Sequence, residues 1–166
     1  THPNLYHGST AESFAQHVDE LGDRLHELER DGFAIELMRL VASISQNGRD
    51  GHTGVFPRER SIAMSIVPLR IRLFEDGVFI IEAPEEQASL VGAQVLAINR
   101  HPVDEVLDGL KPYLGKDNDA GLKRGLPMLA LVPKMLQAIG MAREESKLHF
   151  TVEQNGDQSE IELGVV

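Results

Sequence analysis

The chain has 166 residues, 42% hydrophobic but only 5% aromatic, with no tryptophan and no cysteine. That length suits one domain or two small ones around an aliphatic core, and the lack of cysteine excludes disulfides, thiolate catalysis and zinc–thiolate sites. A formal net charge of −10 repels a phosphate backbone and argues against a nucleic-acid partner, and no run of 18 apolar residues offers a membrane span.

Residues 9–30 read as an amphipathic helix. Ser9-Thr10-Ala11-Glu12 has the form of a capping box, and Phe14, Val18, Leu21, Leu25 and Leu28 recur at spacings of four, three, four and three. Asp31-Gly32 is expected to break it. A second helix from Phe33 to Ile44, with Leu37, Leu40, Val41 and Ile44 inward, would complete an antiparallel helical hairpin. Residues 46–54 hold three glycines and form a turn-rich loop containing Asp50-Gly51-His52-Thr53.

From Ile62 the period changes to that of strands. Residues 67–74 and 78–83 are aliphatic runs separated by Glu75-Asp76-Gly77, a hairpin signal, and Pro84 ends the second run. A tight turn at Gly92, a strand at 94–98, a turn at 99–102 and a helix from Val103 to Leu110 follow, with Pro102 at the helix start. Residues 118–140 read as a helical insert split by Pro127 and Pro133. The chain closes on a hairpin of strands at 149–154 and 158–163 about an Asn155-Gly156 turn, with Phe150, Val152, Ile161 and Leu163 alternating.

Charge is unevenly spread. Residues 1–110 hold nine Arg, no Lys and eighteen acids, whereas residues 111–147 hold seven bases and four acids. This contrast reads as a solvated face or as a surface docking an acidic neighbouring domain.

Catalytic patterns are sparse. There is no Gly-x-Ser-x-Gly elbow and no Ser with Lys three residues on, and the lysines (Lys111, Lys116, Lys123, Lys134, Lys147) all lie in or around the insert. His26 to Arg30 begins like a zincin helix but puts Arg30 where the second His must stand, so no metal site is expected. Asp117-Asn118-Asp119 lacks the glycine and glutamate of a calcium loop. No cofactor is expected. His52 beside Asp50 has two readings: a general base oriented by a carboxylate, which would make a small His-dependent hydrolase, or a brace of the loop and the preceding helix end. The bracing role is favoured.

The order of these motifs resembles the N-terminal, non-catalytic part of the tail-specific (carboxy-terminal-processing) serine peptidase family. The matching residues are His2-Pro3-Asn4-Leu5-Tyr6-His7, the helical hairpin ending in Asp50 to Thr53, the hairpin around Pro68 to Val78, and Gly92 to Val106, which is like the second half of a PDZ-like domain. The resemblance implies an α+β fold, with a helical hairpin cap over residues 1–60 and a PDZ-like small β-barrel over 61–166 carrying the 118–140 insert. Asp50, Gly51, His52 and Thr53 are then a structural family motif. A Ser nucleophile and a Lys base are expected past Val166, so no catalytic residue is carried over. The implied partners are the protein's own catalytic domain and a peptide or protein substrate, and the implied compartment is extracytoplasmic. No charged-then-apolar signal segment is visible at the start, and a chain beginning Thr1-His2-Pro3 is compatible with one having been trimmed.

PDZ-like domains capture a peptide's terminal carboxylate on backbone N–H groups before a strand and lay the peptide along that strand's edge. Here the approach reads Met64-Ser65-Ile66-Val67-Pro68-Leu69, with no glycine and with a proline removing one donor. That argues against carboxylate capture and leaves Leu69, Arg70, Ile71, Arg72 and Leu73 as the expected peptide-binding edge. The expected function is therefore substrate recognition or gating within a serine peptidase. The alternative is a stand-alone PDZ-like adaptor.

Overall fold

The structure is a computed structural model that describes residues 6, 9–45, 50, 53–55, 64–115 and 118–166. The chain divides into two compact units, residues 1–64 with Lys111–Leu122, and Ser65–Leu110 with Lys123–Val166. The fold is α+β, mixing helices with an antiparallel sheet.

In the first unit, helix α1 spans Ala11–Asp23 and α2 spans Arg30–Ser43, with a 3₁₀ turn at Leu25–Glu27 between them. The N-cap of α1 is Thr10, whose hydroxyl accepts from the Ser13 N–H at 3.1 Å, so the cap falls one residue after Ser9 and the third helical position is Ser13, not the glutamate of the expected box. The single long helix over 9–30 is corrected to α1 plus the 3₁₀ turn. Asp31 and Gly32 lie in the first turn of α2, where a carboxylate is favoured by the exposed N–H groups. A Cβ on Gly32 would meet Leu28 at an ordinary 3.7 Å, so nothing there forces a break.

The expected inner faces are also corrected. Along α1 only Leu21 is buried, while Val18 and Leu25 are 42% and 50% exposed. In α2 the buried side is Ala34, Ile35, Met38 and Ala42, with Leu37, Leu40 and Val41 half-buried. Ile44, just past the helix, is buried as expected. Apart from a polar stripe at Glu36, Arg39 and Ser43 the α2 sequence is apolar over a wide sector, so periodicity does not single out which part of it is buried. A 3₁₀ turn at Lys111–Tyr113 lies against α2 and buries Tyr113.

In the second unit, strands β1 (Arg70–Leu73) and β2 (Val78–Glu82) form the expected hairpin. Phe74 N–H bonds Gly77 O at 2.8 Å, and Gly77 sits at φ 144°, a conformation open to glycine. β1 is shorter than the expected 67–74 run. Pro68 has no N–H, and the N–H groups of Val67 and Leu69 bond Leu131 O and Val67 O instead of a strand.

A 3₁₀ turn at Glu85–Leu90 and Gly92 (φ 93°) lead into β3 (Gln94–Ile98). β4 (His101–Pro102) folds back on β3, and α3 (Val103–Leu110) starts directly after Pro102. β5 (Lys147–Gln154) and β6 (Asp157–Gly164) are joined through Asn155 and Gly156, both at positive φ. The strand order is β1-β2-β3-β5-β6, with β4 paired to β3 and all pairs antiparallel.

Helix α4 (Asp119–Leu129) contains Pro127 without being split by it, while Pro133 opens α5 (Pro133–Ala138) as a first-turn proline. Aliphatic side chains dominate this unit's core, including Val67, Ile80, Val95, Ile98, Leu129, Met135 and Leu148, with Phe150 the one fully buried aromatic among the described residues. A low aromatic content produces that core directly.

Candidate functional site

β1 is an edge strand. It pairs with β2 on one side, and among the described residues no strand pairs with the other. The ladder fixes which backbone groups face outward. Phe74 bonds back across the hairpin, and Ile80, opposite Ile71, sends its N–H to Ala93 O at 2.9 Å and accepts from Gly92 N at 2.8 Å. Antiparallel alternation therefore turns the N–H and C=O groups of Ile71 and Leu73 away from β2.

Side chains alternate with the same period. Leu69 and Ile71 are buried and Leu73 is half-buried, whereas Arg70 and Arg72 are exposed. Arg70 is held by Glu82 at 2.5 Å. Arg72 stands 6.0 Å over the ring of Phe74, and among the described residues no carboxylate lies within ion-pair distance of it. Phe74 is 42% exposed and meets Phe79 edge-on, with ring centroids 5.8 Å apart. The five residues expected from sequence therefore lie along the edge, but only Arg70 and Arg72 present side chains to solvent. Phe74, Phe79 and Glu82 were missed. The signal for Phe74 was the period-two alternation, which places it beside 70 and 72 on one face, whereas Phe79 and Glu82 are brought there by the register with β2.

The approach to β1 is occupied by the chain itself. Ile66 N–H bonds Val166 O at 3.4 Å and Val166 N–H bonds Ile66 O at 3.0 Å. Val67 N–H bonds Leu131 O at 2.9 Å, from the turn between α4 and α5, and Leu69 N–H bonds Val67 O at 2.8 Å. No set of converging N–H groups is left at residues 66–69 to receive a carboxylate.

The Asp-Gly-His-Thr motif is described at its ends only, since Gly51 and His52 lie outside the described residues. Asp50 is buried, and its Oδ1 accepts from the Thr53 N–H at 3.0 Å, a local turn closed by an aspartate side chain. Gly115 presses against this turn, where an added Cβ would meet the Ser45 hydroxyl and lie 2.9 Å from Thr53 O and 3.2 Å from Asp50 O.

The first unit also contains a cleft of about 270 Å³ between α1 and α2, lined by His17, Glu20, Arg24, Glu36 and Arg39 above Leu21 and Leu40. Glu36 lies 3.0 Å from Arg39 and 3.9 Å from Arg24, so its cations are already matched by a carboxylate. Burial, followed by the charge of Glu36, raises the Tyr113 phenol above its usual pKa, with Arg39 opposing. Elsewhere Lys147 is raised, chiefly by its hydrogen bond to Glu162 and then by the charge of Glu144.

Among the described residues no three His, Asp or Glu side chains are grouped to hold a metal ion. The serine hydroxyls of Ser43 and Ser45 donate to helix carbonyls, those of Leu40 and Ala42. No helix among the described residues is long and apolar enough to cross a membrane. No protein-family model matches the chain, and no curated protein is significantly similar to it.

Proposed function

We propose that the second unit is a PDZ-like recognition module that takes an extended polypeptide beside β1, and that the chain is the non-catalytic N-terminal part of an exported serine peptidase. The edge of β1, unpaired among the described residues, carries the recognition half of this reading. Ile71 and Leu73 offer outward backbone groups, and an added strand would satisfy them while its side chains settle on the alternating faces of the edge. The paired hydrogen bonds between Ile66 and Val166 support the PDZ-like comparison, because they tie the approach to β1 to the residues after β6. The peptidase half rests on the order of the sequence motifs.

Hydrogen exchange tests the edge directly. In the free protein the amides of Ile71 and Leu73 should exchange quickly and that of Arg72, which faces β2, slowly. A bound extended peptide should slow Ile71 and Leu73 and leave Arg72 unchanged. Protection gained elsewhere with none at Ile71 and Leu73 would remove β1 as the binding edge.

A further inference from the structure

We infer that the β1 edge reads an internal stretch of polypeptide carrying an acidic side chain, and not a chain terminus. This rests on the strand-addition reading above and adds to it the chemistry of the occupant. Two independent observations carry it.

The first concerns the end of the site. A terminal carboxylate needs several N–H groups converging ahead of the strand. Here the N–H groups of Ile66, Val67 and Leu69 are bonded to Val166, Leu131 and Val67, and Pro68 has none. Nothing at this end favours a peptide's last residue over any other, so recognition falls to the groups along Arg70 to Phe74.

The second concerns the exposed face. A strand laid beside β1 places its side chains about 5 Å from those directly opposite. On the outer face those are Arg70, Arg72 and, next in line, Phe74. Glu82 already neutralises Arg70. Arg72 has the ring of Phe74 beneath it and no carboxylate within reach among the described residues. An Asp or Glu opposite Arg72 completes that charge, and an apolar or aromatic residue two positions along covers Phe74 and Phe79. Arginine on an edge strand is also a common guard against unwanted pairing. That role leaves exposed Phe74, set edge-on against half-buried Phe79, unexplained, whereas an acidic and apolar occupant accounts for both the arginine and the ring. The chain's net charge of −10 does not forbid such a ligand, because at physiological salt the screening length of about 8 Å leaves Arg72 dominant at contact.

The test is fluorescence anisotropy at about 0.15 M salt, where surface pairs are realistically screened. The probe is a fluorescein-labelled octapeptide, Ser-Thr-Val-Glu-Val-Tyr-Thr-Ser, and its counterpart with Lys for Glu, each as free acid and as C-terminal amide. The Glu peptide should bind about fivefold tighter than the Lys peptide, as expected when an attractive cross-strand pair becomes a repulsive one. Acid and amide should agree within about twofold, and Arg72→Glu should invert the preference. A free acid favoured about tenfold over its amide would mean that the site captures chain ends after all. Equal affinity for Glu and Lys peptides, with protection still gained at Ile71 and Leu73, overturns the acidic preference and leaves strand addition standing. Failure of every peptide to bind overturns strand addition too. Light scattering at the same protein concentration should show no dimer that Arg72→Glu dissociates, since such a dimer would make a second copy of the chain the occupant.

Discussion

Two glycines of the first unit show how the same substitution takes opposite signs. Gly115 lies against Ser45, Asp50 and Thr53, and a methyl group there would sit 2.9 Å from the Thr53 carbonyl. Backbone cannot yield as a side-chain tip does, so Gly115→Ala should cost about 1–3 kcal/mol, the usual range for overpacking. Gly22, inside α1, has nothing within 4 Å of the position of an added Cβ. Gly22→Ala should therefore stabilise by about 0.5–1 kcal/mol, since alanine loses less backbone freedom in a helix. Urea denaturation of both variants checks the pair, and equal shifts in one direction would contradict the packing described at Gly115. Tyr113 gives a residue-scale prediction in pH. Its phenol is raised above the usual 10.0 by burial and then by Glu36. The folded state therefore holds the proton more tightly than the unfolded state. This contribution is intact below pH 10 and is lost as pH climbs through the raised value. The chain has two tyrosines, so in Tyr6→Phe the near-ultraviolet phenolate signal reports Tyr113 alone. Its midpoint should fall above 10.0, and Tyr113→Phe should lessen the loss of stability at alkaline pH.

At the scale of elements, legibility followed how strongly the local sequence constrains the backbone. From Gly92 to Leu110 the strand at 94–98 and the helix at 103–110 were readable, because glycine and proline mark their boundaries, but the expected turn at 99–102 is a turn at Asn99 and Arg100 followed by the short strand β4. The closing hairpin was readable for the same reason. The helical hairpin was not. The apolar stripe of α1 runs unbroken into Leu25 and Leu28, so nothing local announces the end at Asp23, and the apolar sector of α2 is so wide that it conceals which part is buried. The β1 edge was legible as a strand, and alternation puts Phe74 on its outer face, but the placing of half-buried Phe79 beside it depends on the register with β2, which no local pattern gives. Asn99 was likewise unreadable from sequence. It sits at φ 50°, donates its backbone N–H to His149 O at 2.7 Å, accepts from His149 N–H at 3.0 Å and donates Nδ2 to Met141 O at 3.0 Å. One residue thus joins the end of β3, the start of β5 and the loop before it. Asn99→Gly keeps the backbone freedom but loses both side-chain bonds, and should cost about 1–3 kcal/mol. Asn99→Ala adds backbone strain and should cost about 1 kcal/mol more. Thermal denaturation of the two variants side by side separates the terms, and Ala proving no worse than Gly would mean that the positive φ carries no penalty.

For the whole molecule the dominant physical fact is charge. Both units are acidic: the first carries eight bases against twelve acids and the second eight against fourteen, which gives −4 and −6. Excess negative charge within each unit opposes its compact state. Against this stand ion pairs that are largely exposed, such as Arg70–Glu82, Lys134–Glu145 and Lys147–Glu162. Each such pair contributes about 0–1 kcal/mol. Salt weakens both effects, so the sign of its action shows which is larger. Raising sodium chloride from about 0.01 M to about 0.15 M shortens the screening length from about 30 Å to about 8 Å. Repulsion among like charges spread over a whole unit acts across that range, whereas paired groups in contact are screened much less. The melting temperature should therefore rise over this interval at neutral pH. It should rise less near pH 5.1, where the net charge vanishes and little repulsion is left to screen. A fall in melting temperature with salt at neutral pH would show that the surface ion pairs outweigh the repulsion.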